Sequence, residues 1–329
     1  MINLRDYEAA FARSEQIDPE LIALVSGGSG YEITLRENRA AFNRWRLVAR
    51  VLVDVSRVDL TVQVLGKATR LPILIAPMGG QGQLHADGEI APARAASAAS
   101  VVFIRSEWAT RAIDEVAGVG VGRRWQQVFM DRDRRALESL VKRAEECGYE
   151  AICITVDNPV RARRSWDVRQ GRSTAVPFDP TFTWRDLESL TRQTTLPVVV
   201  KGIVDVDDAK HCAEIGVAAV FVSNHGGRQL DDAPGSLDVL PSIVDGVPET
   251  LEVYVDGGVR TGADVVKALA LGARAVGVGR PILWGLALEG EAGVKNVLEL
   301  LRIEVEEALA LMGQPIVSSL SRSSITPAR

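Results

Sequence analysis

Eight short apolar runs punctuate the chain, each followed by a stretch whose apolar residues fall at helical spacing. They are PILIAPM (72–78), VVFIRS (101–106), WQQVFM (125–130), AICITVD (151–157), PVVVKGI (197–203), AVFVSNH (219–225), EVYVDGG (252–258) and AVGVGRP (275–281). Continuous hydrophobicity, without alternation, marks strands covered on both faces and hence a parallel sheet. Between them, RDRRALESLVKRAEECG and DVDDAKHCAEIG carry apolar residues at helical spacing and end in glycine, the usual helix stop. Eight such units in one chain predict an α/β fold, a closed TIM (β/α)8 barrel. An open doubly wound sheet is the competing architecture, but it begins with a GxGxxG turn that PILIAPMGGQGQL does not supply. Ahead of the first barrel strand, residues 1–70 read as a helical cap over the barrel bottom with a short hairpin in VDLTVQVLGKATRL. No linker interrupts the pattern, so residues 1–329 read as one domain: the cap, then barrel and C-terminal helices over 71–329.

With 329 residues, 47 % of them apolar, the chain can bury a large core. Its 38 basic and 43 acidic side chains are intermixed and leave a net charge of −5, which gives nucleic acid no electrostatic footprint and favours a small diffusible partner. The opening MINLRDYEAAFARSEQID is charged throughout, unlike a secretory signal or a spanning helix, so a cytoplasmic protein without membrane attachment is expected. Cys147, Cys153 and Cys212 are odd in number and lack a CxxC pair; they read as reduced thiols, with no metal site.

In a barrel, chemistry gathers where strands run into the following loops. The strand ends offer Ala76, Pro77, Met78 and Gly79, then Ser106, Gln127, Thr155 with Asp157, Lys201, and Ser223 with His225. The last two strands end in DGGVR and GVGRP, where Gly258 and Gly279 bring backbone N–H groups close while Arg260 and Arg280 supply charge, a pairing that suits phosphate. A phosphate at that side and Lys201, Gln127, Thr155 and Ser106 in the middle fit flavin mononucleotide (FMN), with the lysine stabilising an anionic reduced ring. Taken singly, the glycines also read as plain turns, Lys201 as a strand-end ion pair, and Trp108 as packing instead of pocket wall. His225 stands near Asp157, which would orient it, and near Arg164 and Arg228, which would hold an anion. His85 in QLHADGE reads as a loop brace and His211 as a surface or packing residue.

At these residues the chain resembles the FMN-dependent 2-hydroxy-acid oxidase and dehydrogenase family, which includes glycolate oxidase, lactate oxidase and mandelate dehydrogenase. SNHGGRQLD is the most specific signature, and the likeness continues through TLRENRAAFNRWRLVARVLVDVS, LPILIAP, ITVDNPVRARR, LPVVVKGI and VDGGVRTGADVVKALALGARAVGVGRP. The resemblance implies that His225 takes the substrate proton, that Asp157 orients it, and that Arg164 and Arg228 bind the substrate carboxylate. It places FMN against Ala76, Pro77 and Met78, with Ser106, Gln127, Thr155, Lys201 and Ser223 around ring and ribityl chain. Asp256, Gly258, Arg260, Gly279 and Arg280 take the ribityl and phosphate end. Oxygen or another acceptor would reoxidise the flavin, and a homotetramer is the family's common assembly.

Three departures concern the substrate. Leu24, in ALVSGG, stands where the family carries a substrate-binding tyrosine, and Phe129 replaces the tyrosine that ends its third strand. Each lost hydroxyl removes roughly 1.5–3 kcal/mol of pairing with an anionic substrate. The segment after the fourth strand, RQGRSTAVPFDPTFTW (169–184), is short for the family's active-site lid. A larger or more apolar hydroxy acid is therefore expected. The alternatives are an amine or a carrier-tethered intermediate on the same scaffold, or a flavin-binding scaffold without catalysis. Gly79, where relatives often carry alanine beside the flavin, leaves oxidase against dehydrogenase open.

Overall fold

In the computed structural model, which describes residues 1–164 and 178–328, all eight apolar runs form strands. They are β1 (Ile73–Ile75), β2 (Val102–Arg105), β3 (Arg124–Phe129), β4 (Ala151–Thr155), β5 (Val198–Ile203), β6 (Ala219–Val222), β7 (Glu252–Asp256) and β8 (Ala275–Val278). All neighbours pair in parallel, and β8 closes on β1 through Val276 and Ile73, so the sheet is a closed barrel. It is the predicted TIM barrel. The helices end as the glycines predict: Arg134–Glu146 is followed by Gly148 and Val206–Glu214 by Gly216, both at positive φ.

Strands β1, β2, β4 and β6 are buried at every position, as continuous apolar runs require. Trp125 of β3, Phe221 of β6 and Tyr254 of β7 meet with ring centroids 5.1–5.8 Å apart. Trp125 and Tyr254, on strands at opposite sides of the barrel, touch only through its interior, which is thus a packed core and not a pore.

The N-terminal segment divides between the two ends of the barrel. The hairpin Val62–Val64/Lys67–Thr69 closes the bottom: the Leu65 N–H donates to Glu252, and Lys67 pairs with Glu150, both at strand beginnings. The helices Pro19–Ser26 and Ile33–Asn43 instead lie at the opposite end, where Arg228 donates to the Leu24 carbonyl and Asn38 exchanges hydrogen bonds with Asn224. The expectation that the whole cap covers the bottom therefore holds for the hairpin alone. Amphipathic periodicity tells which face of a helix is buried, not against which end of a barrel it docks.

No helix among the described residues is long and apolar enough to cross a membrane. All three cysteines are free.

Candidate active site

A cavity of about 420 Å³ opens at the C-terminal end of the strands, within the range of small-molecule and cofactor sites. Ala76, Pro77 and Met78 line it from the loop after β1, Ser106 and Trp108 from the loop after β2, Gln127 and Phe129 from β3, and Thr155 from β4. Lys201, His225 and Arg228 continue the wall, and Asp256, Gly258, Arg260, Gly279 and Arg280 complete it, facing Leu24 and Arg164. Two of the expected residues stand one step behind the wall. Asp157 reaches the cavity only through His225, and Ser223 lies buried between Lys201 and the His225 backbone. Of the short segment after β4, residues 169–177 lie outside the described residues.

His225 adopts φ +60, the left-handed region unusual for a residue with a side chain. Its loop is held there by neighbours: the His225 N–H donates to Ser223 Oγ at 3.1 Å, and Asn224 is gripped by Asn38 and the Pro234 carbonyl. The Nδ1 atom lies 2.9 Å from Asp157 Oδ1, which leaves Nε2 as the nitrogen available to a bound molecule. Burial alone would raise the Asp157 carboxyl, but the charge and hydrogen bond of His225, with Lys201 beyond, outweigh it and hold the pKa below the ordinary value.

Strand β5 is built for this approach. It slips register between Lys201 and Ile203, with Gly202 at φ +113, and a Cβ on Gly202 would sit 2.6 Å from the Asp157 Cβ. Lys201 Nζ pairs with Asp256 Oδ2 at 2.9 Å and donates to Ser223 Oγ at 2.7 Å. Burial pushes the Lys201 pKa down, yet Asp256 and Asp157 more than compensate, so its ammonium is held charged. The strand-end ion pair and the cavity-lining lysine are the same residue.

At the opposite corner, burial lowers both Arg260 and Arg280 to about 10, which leaves them charged at neutral pH. Arg280 donates to the carbonyls of Val25, Gly226 and Gly27, clamping the helix 19–26 terminus and the His225 loop against β8. Arg228 donates to the Leu24 and Gly27 carbonyls at the same turn. The buried atoms Asp256 Oδ1 and Arg260 Nε have no hydrogen-bond partner among the described residues. Buried polar atoms are normally paired, so the unpaired Asp256 acceptor, and an Arg260 Nε that makes no hydrogen bond but only a 3.7 Å ion pair with the half-exposed Glu8, fit the hydroxyls and phosphate of a ribityl phosphate beside this cavity.

The third wall is aromatic. Trp108, 42 % exposed, lies with its ring centroid 4.7 Å from that of Phe129 and stacks on Phe178 at 5.3 Å, while Phe129 and Phe178 are 5.1 Å apart. Trp108 therefore lines the pocket and packs at once. Sequence reasoning missed Phe178, which is remote in the chain, and Glu107, whose carboxylate accepts the Phe129 N–H at 2.6 Å. Burial raises the Glu107 pKa. His85 braces its own loop by accepting the Asp87 N–H, and His211 sits on the surface beside Glu214.

The sequence model of the FMN-dependent dehydrogenase family matches residues 13–178 and 172–327. The chain belongs to the FMN-dependent 2-hydroxy-acid oxidase family. An L-lactate oxidase of Nostoc sp. is 44 % identical over 95 % of this chain and 94 % of its own length. Glycolate oxidase 5 of Oryza sativa subsp. japonica is 40 % identical over 98 % of this chain and 95 % of its own. Among solved structures, a soluble mutant of the membrane-associated (S)-mandelate dehydrogenase from Pseudomonas putida superposes with a TM-score of 0.95 at 33 % identity, covering 100 % of both chains. Like its family, the protein is an FMN-dependent oxidoreductase of 2-hydroxy acids.

Proposed function

We propose that this cavity binds FMN along the wall from Ala76 to Arg280 and that the protein oxidises an L-2-hydroxy acid larger or more apolar than glycolate or lactate. When bound, FMN supplies the two-electron acceptor that no side chain can provide. Arg164 and Arg228 hold the substrate carboxylate, and His225 Nε2 accepts the proton of the 2-hydroxyl as the Cα hydrogen leaves with its electron pair. Asp157 fixes the imidazole through Nδ1 and stabilises the imidazolium that results. The charged Lys201, beside Asp256, offsets negative charge arriving on the cofactor ring. Arg260 and Arg280 balance the phosphate.

The observation that carries this reading is His225 on the wall of a cavity that also carries Arg164, Arg228 and Lys201, held 2.9 Å from Asp157 behind it. The substrate preference rests on the third wall, where Leu24 and Phe129 offer no hydroxyl and Trp108 and Phe129 present aromatic surface, with the buried Phe178 packed against both. Such a surface gains from apolar area and gives a small acid little to bond.

Steady-state kcat/KM over glycolate, lactate, long-chain and aryl L-2-hydroxy acids tests it. The expected order rises with apolar side-chain size, and a preference for glycolate overturns it. Turnover of an amine or carrier-tethered acid, with every free hydroxy acid inert, would favour the other substrate classes. Turnover with oxygen against turnover with an artificial acceptor separates oxidase from dehydrogenase.

A further inference from the structure

We propose that Glu89 is a positioning residue of this site: its carboxylate ties the loop after β1 to the loop after β2 and so fixes the spacing of the walls between which cofactor and substrate lie. This rests on the placement of FMN and hydroxy acid in the cavity described above.

Glu89 is wholly buried and does not line the cavity. It immediately precedes the helix Ile90–Ala99 but caps no N–H of that helix, and no basic side chain among the described residues forms a salt bridge with it. Its oxygens turn to the two loops instead. Oε1 accepts the N–H groups of Gln81 (3.2 Å) and Thr110 (3.0 Å); Oε2 accepts the Thr110 hydroxyl (2.7 Å) and the Arg111 N–H (2.9 Å). Four donors on two oxygens fill the acceptor capacity of a carboxylate, which is what its burial without a direct salt bridge demands.

Both tethered loops end at the active site. Gln81 passes the constraint on, since its side-chain amide donates to the Met78 carbonyl at 3.0 Å, and Met78 lines the cavity. On the other side, Thr110 and Arg111 follow Trp108 by two and three residues. The seam is sewn further by Gly80 N–H to the Trp108 carbonyl and Gly82 N–H to Thr110 Oγ1, both 3.0 Å. The loops are as close as glycine allows: a Cβ on Gly79 would stand 2.9 Å from the Trp108 Cβ, and one on Gly82 would stand 2.5 Å from Thr110 Oγ1. Neither loop can shift alone while Glu89 holds both, so the carboxylate sets where Met78 and Trp108 stand relative to each other.

Glu89→Gln presents an NH2 group to backbone N–H donors and breaks the tether while keeping the shape. Thr110→Val removes only the exposed hydroxyl that links Glu89 to Gly82, and so leaves a folded protein if the buried variant fails. With wall displacements of about 1 Å, Glu89→Gln is expected to lower kcat on the order of 100-fold and to raise KM as well. Thr110→Val is expected to move both in the same direction by a smaller factor. In each, the visible circular dichroism of bound FMN should change while the far-ultraviolet spectrum does not. Wild-type kcat, KM and flavin dichroism in folded Glu89→Gln, or in Thr110→Val if the first does not fold, overturn the proposal. Arg260→Met separates the underlying placement: wild-type FMN affinity in that variant overturns the placement itself, whereas weakened FMN binding there with riboflavin binding kept, and unchanged Glu89→Gln and Thr110→Val, overturns the role of Glu89 alone.

Discussion

His225 and Asp157, brought from the ends of β6 and β4, meet at 2.9 Å only because Gly202 on the strand between them carries no side chain. The dyad is thus a property of three strand ends. Gly202→Ala adds a methyl 2.6 Å from the Asp157 Cβ at a φ of +113. It is expected to cost about 1–3 kcal/mol in strain and to displace the carboxylate. Urea denaturation and kcat, measured together, should both fall while FMN remains bound.

Asp157 also gives the protein an acid limb. Its folded-state pKa lies below the ordinary carboxylate value, chiefly because His225 outweighs the effect of burial. A depressed carboxylate contributes stability that is fully present above its unfolded pKa of about 3.9 and is lost as pH falls through the folded value. Asp157→Asn should therefore be less stable than wild type at pH 7, with the gap closing below about pH 4. Denaturation midpoints at pH 7 and pH 3 measure this. His225→Gln should retain FMN and lower kcat by about 10²–10⁴-fold.

Lys201 and Asp256 form a buried pair, 5 % and 9 % exposed. Removing one partner leaves the other charge buried alone, so Lys201→Met is expected to destabilise by about 3–5 kcal/mol. The double variant Lys201→Met/Asp256→Asn should lose less than the sum of the two single changes. Thermal or urea unfolding of the four proteins completes the cycle.

Arg260 Nε is a buried donor that makes no hydrogen bond among the described residues, only a 3.7 Å ion pair with Glu8, at the end of the cavity assigned to phosphate. Arg260→Met should weaken FMN binding by about 10- to 100-fold, the range for a hydrogen bond to a charged group. Riboflavin, which lacks the phosphate, should bind both proteins alike. Fluorescence titration of each apoprotein with the two flavins reads the difference.

Restoring a hydroxyl to the aromatic wall should reverse the substrate preference. Phe129→Tyr is expected to improve kcat/KM for lactate by about 10-fold or more, the effect of one bond to an anionic substrate. Leu24→Tyr should act in the same direction. Unchanged lactate kinetics in both variants would remove the explanation given to these two positions.

The barrel was legible because its strands are buried on both faces, and runs such as AICIT and AVFV leave little else for the chain to become. His225, Arg228, Lys201 and the glycine–arginine turns were legible because chemistry-bearing residues at successive strand ends must converge in a barrel. Where helix 19–26 docks was not, since its anchoring bonds run from Arg228 and Arg280, more than two hundred residues away. Glu89 was equally silent: a single acidic residue before a helix looks like a helix start, and only the folded loops reveal four donors around it. Its one signal is the apolar, alanine-rich helix that follows it, IAPARAASAA, against which a lone charge would need partners.

The most direct test of the central claim is to mix the FMN-loaded protein, without oxygen, with small, long-chain and aryl L-2-hydroxy acids and follow the flavin absorption band. Bleaching that is fastest with the aryl or long-chain acids is the predicted result. An unbleached flavin with every hydroxy acid, or bleaching confined to glycolate and lactate, would contradict it.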